Sequence, residues 1–151
     1  MTFGSLYSGI GGMDSGFCAG GWEPVWQAEC DPFRRAVLDR RFGVTVYANN
    51  AAAVGEAGHV DVVYTDLPDS RTERWWPSVA AVLVSCRCEW LIMEFSPTTR
   101  FECIICDLAL KGWSFRLFFM AAMIEVDAGP PEACDNRKRA VLSETRKCFL
   151  N

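Results

Sequence analysis

No stretch of this chain approaches the ~20 consecutive apolar residues that a membrane-spanning helix needs, so no membrane span is expected. The start lacks a basic segment followed by an apolar run, so no secretory signal is expected either. Both absences point to a cytoplasmic protein, whose eight cysteines are then reduced thiols rather than a disulfide framework. Basic charge is short as well. Fifteen Lys and Arg against nineteen Asp and Glu leave a net charge of −4, which argues against a stand-alone, non-specific nucleic-acid binder. Internal repeats, low-complexity tracts and an interdomain linker are also missing. What is present is a chain of 151 residues, 50% hydrophobic and 23% charged, enough for one domain with a sizeable core.

Cys86, Cys88, Cys103 and Cys106 sit in CRC and CIIC, spacings that only loosely resemble zinc ligand pairs. Cys103 and Cys106 fall in the apolar run FECIICDLAL, which reads as a helix. Buried free cysteines are the expectation there, and no metal site is expected.

The chain reads as alternating units. FGSLY (3–7) is a short strand ending at SGIGG, followed by a helix from about Met13 to Ala19 that stops at Gly20-Gly21. PVWQAE (24–29) is a second strand. Asp31 then caps DPFRRAVLDRRF, with Pro32 at the first helical position. VTVYA (44–48) and VDVVYTD (60–66) are strands, separated by NNAAAVGEAG, a short helix or loop. A helix covers about Glu73 to Cys86, its start obscured by Pro77, which fits only near a first turn. EWLIMEF (89–95) is a fifth strand, Arg100 to Leu110 a helix, WSFRLFFMAA (113–122) a sixth strand and RAVLSE (139–144) a seventh. Such alternation predicts an α/β fold with a mostly parallel central sheet and helices on both faces. Ligands on that architecture bind beyond the carboxyl ends of the strands. SGIGG, AECD, TDLPDS and MEFSP all sit at such ends, so one shared site is expected.

SGIGGMDSG (8–16) follows a strand and opens a helix, where glycine lets backbone approach a ligand and the helix start offers unpaired N–H groups. About twenty residues on, AECDP ends the second strand. Glu29 there is the candidate to accept the two hydroxyl protons of a ribose, with Cys30 or Asp31 lining the base.

The stretch LYSGIGGMDSGFCAGGWEPVWQAECDPFRRAVLDRRF (6–42) resembles the N-terminal part of the DNA cytosine-5 methyltransferases, the match running from Phe3 to Phe42, and later motifs follow in the same order. The resemblance implies a Rossmann-like S-adenosylmethionine-dependent methyltransferase fold over a single domain, residues 1–151. It implies S-adenosylmethionine as cofactor. Ser8, Gly9, Ile10, Gly11 and Gly12 would lie near its methionine part and Glu29 on its ribose. The family's adenine-binding aspartate after strand three is replaced by Asn49, whose amide oxygen can still accept, so weakened binding is expected. Asp66, ending the fourth strand, joins the cofactor-binding set.

In this family a cysteine thiolate adds to carbon 6 of cytosine and a glutamic acid supports the ring nitrogen. The loop that normally reads P-P-C-Q is Leu67-Pro68-Asp69-Ser70 here, so Asp69 stands at the thiol's position. A carboxylate is a far weaker nucleophile, and loss of the usual covalent mechanism follows. Glu94 keeps the glutamate of the Glu-Asn-Val motif, with Phe95 replacing its asparagine; a plain helix-capping acid is the alternative. Arg137 and Arg139 keep the arginine spacing of Gln-x-Arg-x-Arg, or form a solvated basic hairpin. No counterpart of the target-recognition region is expected after Asn151. DNA contact would then come only through a partner, either a second copy of the chain or another subunit covering the open cleft. Two alternatives stay open. Asp66-Leu67-Pro68-Asp69 resembles the D-P-P-Y loop of amino-methyltransferases, whose acidic residue accepts from a target amine. A cofactor-free interaction module, using Trp75-Trp76 as a contact surface, is the other.

Overall fold

Strand-forming runs and helix signals alternate along the chain, and the computed structural model follows that alternation. It describes residues 1–67, 72–95, 102–111, 115–121 and 144–150, the last two segments by backbone alone. The order is β1 (Thr2–Leu6), α1 (Gly12–Ala19), β2 (Glu23–Ala28), α2 (Pro32–Phe42), β3 (Thr45–Tyr47), α3 (Asn50–Ala53), β4 (Val62–Asp66), α4 (Thr72–Cys86), β5 (Trp90–Phe95), α5 (Glu102–Leu110), β6 (Phe115–Ala121) and β7 (Glu144–Leu150). These strands form one sheet in the order β3-β2-β1-β4-β5-β7-β6. Neighbours from β3 to β5 run parallel, and β7 lies antiparallel between β5 and β6. The mostly parallel α/β sheet expected from the sequence is therefore observed. Strand order reverses between β1 and β4, which opens a crevice at their carboxyl ends.

Side-chain alternation splits the core in two. Phe3, Val62, Tyr64 and Ile92 pack on one face with Met13, Phe17 and Trp22 of the α1 region. Leu6, Val63, Leu91 and Met93 face the other way, against Val79, Val82 and Leu83 of α4 and Ile104 and Leu108 of α5. The near-continuous apolar runs of β4 and β5 are thus explained by burial on both faces. The β1 backbone at Gly4 sits so close to Trp26 that a Cβ there would lie 2.2 Å from the indole, which leaves glycine as the residue that fits.

Helix ends follow their local chemistry. Asp31 accepts from Arg34 N at 2.9 Å, Pro32 begins α2, and Gly43 closes it at φ 65. Pro77 departs from expectation. It lies in the second turn of α4, not the first, and its exposed ring leaves the buried stripe of Trp76, Val79, Leu83 and Cys86 intact. Packing of that stripe outweighs the one missing hydrogen bond. The seventh strand begins at Glu144, the last residue of RAVLSE; residues 139–143 lie outside the described residues. Among the described residues no helix is long and apolar enough to cross a membrane.

The cysteine expectation is half corrected. Cys86 and Cys88 are buried, but Cys103 and Cys106 are exposed, because α5 turns Ile104 and Leu108 inward and its thiols outward. Among the described residues no three His, Cys, Asp or Glu side chains converge as metal ligands would. Trp76 is buried, with Nε1 donating to Asp107 Oδ2 at 2.8 Å.

Candidate functional site

The glycine loop is clamped to the end of β2 by one carboxylate. After Leu6 the chain turns through Tyr7 (φ 54), Gly9 (φ 59) and Gly11 (φ 78) into α1. Gly9 N donates to Glu29 Oε2 at 2.8 Å, and Asp31 N donates to Glu29 Oε1 at 2.9 Å. Glu29 is only 4% exposed. Its carboxylate joins the two loops that the sequence assigned to a common ligand. Gly11 lines neither cavity. It abuts α2, where a Cβ would meet Phe42 Cε2 at 2.3 Å. Arg41 of α2 donates to Ile10 O at 2.5 Å and to Ser15 Oγ at 2.6 Å, fastening the loop from outside.

A buried polar network lies beneath the loop. Ser8 N donates to Ala28 O at 3.1 Å, and its hydroxyl lies 2.6 Å from Ser5 Oγ. Ser5 Oγ and Gln27 Nε2 both donate to Asp14 Oδ1 at 2.6 Å. Asp14, Gln27 and Ser5 are completely buried, and among the described residues Asp14 Oδ2 and Gln27 Oε1 have no hydrogen-bond partner. Sequence reasoning passed over Asp14, because an acid in the first turn of a helix ordinarily sits in water. The available signal was its position on the face of α1 that carries Phe17.

Two cavities open from this platform, and Tyr7 borders both. The larger, about 380 Å³, is lined by Tyr7, Glu29, Cys30, Asn49, Asn50, Arg74, Trp75 and Ser78. Its aromatic wall is Trp75, set edge-on to Tyr7 with ring centroids 5.7 Å apart, with the Arg74 guanidinium 4.5 Å from the indole. Arg74, Trp75 and Ser78 come from α4; the sequence marked Trp75 as a candidate contact aromatic, whereas nothing local marked Arg74 or Ser78. Asn49 is placed where the sequence put it, but its Oδ1 accepts from Ala52 N at 2.8 Å as the cap of α3. Burial, the largest influence, raises the Tyr7 hydroxyl above its ordinary range.

The smaller cavity, about 290 Å³, is lined by Tyr7, Ser8, Gly9, Ile10, Gly12, Met13, Tyr64, Asp66 and Glu94. Asp66 and Glu94 are register partners at the carboxyl ends of β4 and β5. Tyr64 donates its hydroxyl to Glu94 Oε2 at 3.0 Å. Desolvation, and then the Glu94 charge, push the Asp66 carboxyl up to about 6. Desolvation and the same two acids raise Tyr64 as well, so it stays a donor. Ser8, Gly9, Ile10, Gly12, Asp66 and Glu94 are thus brought together, while Glu29, Cys30 and Asn49 border the adjoining space. Asp69, Arg137 and Arg139 lie outside the described residues.

No family model matches the chain, and no curated protein matches it in sequence. Among solved structures, 99% of it matches a Pyrococcus horikoshii protein provisionally assigned as an RNA methyltransferase, at 15% identity and TM-score 0.64, covering 71% of that protein. A second match is a protein encoded within a prophage of E. coli, provisionally assigned as a DNA modification methyltransferase, at 15% identity and TM-score 0.70. A third is the Dnmt2 methyltransferase of S. pombe, at 14% identity and TM-score 0.65. Again 99% of the chain is covered, but it spans 46% and 48% of the lengths of those last two proteins. At these identities the likeness establishes the fold: a Rossmann-like α/β fold of the methyltransferase type.

Proposed function

We propose that this chain is a DNA cytosine-5 methyltransferase-like protein that binds S-adenosylmethionine but lacks the thiol chemistry of that family. On this reading it acts as a regulatory or partner subunit. The observation that carries the proposal is the Glu29 clamp on Gly9, at the edge of a cavity of about 380 Å³ beside the β1/β4 crevice. The residues present fit the cofactor. Glu29, Cys30, Tyr7 and Trp75 border a space suited to a nucleoside, and Ser8, Gly9, Ile10 and Gly12 border one suited to its amino-acid part. When bound, the cofactor supplies an electrophilic methyl group. Isothermal titration with S-adenosylmethionine tests the reading. Saturable heat of binding is expected, and none at millimolar cofactor would contradict it.

Impaired chemistry rests on Asp69 standing where the nucleophilic cysteine belongs. The net charge of −4 supports nucleic-acid contact through a partner, which would be a second copy or another subunit over the cleft. Light scattering during size exclusion tests the copy, and a clean monomer removes it.

A second reading is favoured by the Asp66–Glu94 pair. Two acids side by side, one with its carboxyl raised to about 6, form an acceptor-rich site that suits a target amine better than a carbon nucleophile. A methyl-transfer assay on DNA, RNA and nucleotides separates the readings. Transfer abolished by Asp66→Ala would establish the second and overturn the first.

A further inference from the structure

The floor of the larger cavity carries two adjacent asparagines, and the hydrogen bonds around them fix opposite orientations. Asn49 Oδ1 is held by Ala52 N–H at the start of α3. For Asn50 the argument runs through Ser78. The single hydroxyl hydrogen of Ser78 goes to Trp75 O at 2.9 Å. Toward its other neighbours Ser78 Oγ must therefore accept, with two lone pairs for two donors. Those donors are the Tyr7 hydroxyl at 3.2 Å and Asn50 Nδ2 at 3.1 Å. The amide nitrogen of Asn50 is thus turned toward Ser78. Among the described residues no group donates to Asn50 Oδ1, although the side chain is almost wholly buried and borders the cavity. That oxygen opens to the cavity, and a ligand N–H that pairs with it as the ligand displaces water is selected over a group that cannot.

We infer that Asn50, not Asn49, is the specificity-determining acceptor of this cavity, taking the exocyclic amine of a 6-aminopurine. This rests on the cofactor reading above and assigns the base contact to a different residue from the one the family resemblance implies. A 6-oxopurine would turn a carbonyl oxygen toward Asn50 Oδ1 and be rejected. Tyr7 and Ser78 act as positioning residues, because they hold the amide the right way round.

The test is calorimetric titration of the full chain with S-adenosylhomocysteine and with S-inosylhomocysteine, reading the ratio of the two affinities. The wild type is expected to prefer the adenosyl ligand by about tenfold or more, the scale of one hydrogen bond exchanged for a repulsion. Asn50→Ala is expected to reduce the ratio below about threefold. Asn50→Asp keeps an acceptor and is expected to retain the preference, as is Asn49→Ala, whose oxygen serves the cap. Equal affinities in the wild type, a preference surviving Asn50→Ala, or one lost in Asn49→Ala would each overturn the inference while leaving the cofactor reading intact. Binding of neither ligand by the wild type would remove both.

Discussion

The two sides of the crevice contrast in how their acids are met. On the β1–β2 side, Glu29 accepts from two backbone N–H groups and Asp14 from two side-chain donors. Donors converge there on each carboxylate, and the glycine loop is held rigidly in a left-handed path. On the β4–β5 side, Asp66 and Glu94 are register partners, and among the described residues the Tyr64 hydroxyl bonds Glu94 and not Asp66. The first arrangement is built for binding, because its geometry exists before a ligand arrives. The second sets two acids side by side at a strand end, with the exposed Asp66 carboxyl raised to about 6, which suits proton handling.

Breaking the rigid side should have the largest effect. Gly11→Ala places a Cβ at a φ of +78 and 2.3 Å from Phe42 Cε2. Left-handed strain and overpacking together are expected to cost about 3 kcal/mol, measurable by urea denaturation. Asp14→Ala strands the Gln27 amide in a dry interior, while Ser5 keeps Ser8 Oγ as a partner, with an expected loss of about 1–2 kcal/mol in the same experiment. An unchanged midpoint in either variant would contradict the claim that this side is the preorganised one.

The β4–β5 side should respond to pH more than to denaturant. The Asp66 carboxyl sits above its ordinary value, so the folded state holds a proton that the unfolded state has released. Its contribution to stability is therefore present below the ordinary 3.8 and is lost as pH rises through about 6. Glu94→Gln removes the neighbouring charge. Asp66 should then titrate lower, yet still above its ordinary value, because desolvation is the larger cause. Carbon-13 NMR of the Asp66 carboxyl measures this, and a midpoint unmoved by Glu94→Gln would separate the two acids. The smallest effect is expected from Asn49→Ala, which removes the α3 cap and about 1 kcal/mol of stability.

Much of this was legible in the sequence where one local rule dominated. Asp31-Pro32 announced α2, and VDVVY and WLIMEF announced buried parallel strands. SGIGG followed by a strand-end acid located the loop and Glu29, but not the bond by which Glu29 clamps Gly9. Features set by distant packing were not legible. Pro77 sits inside α4 because Trp76, Val79 and Leu83 hold that helix against the sheet. Trp75 and Arg74 reach the cavity because α4 packs beside α3 and sets Trp75 against Tyr7. Cys103 and Cys106 face outward because Ile104 and Leu108 claim the inner side of α5. The division of labour between Asn49 and Asn50 depends on a single hydroxyl hydrogen on Ser78, 28 residues from Asn50 along the chain.

The central claim is that the glycine loop and its Glu29 clamp form the floor of a cofactor site. Proton–nitrogen NMR during titration with S-adenosylhomocysteine tests it most directly. The account predicts saturable shifts that begin with the Gly9 and Asp31 amides, the two that Glu29 holds, and extend to the Asn50 side-chain amide. Shifts confined to other surfaces, or a spectrum unchanged at millimolar ligand, would contradict it.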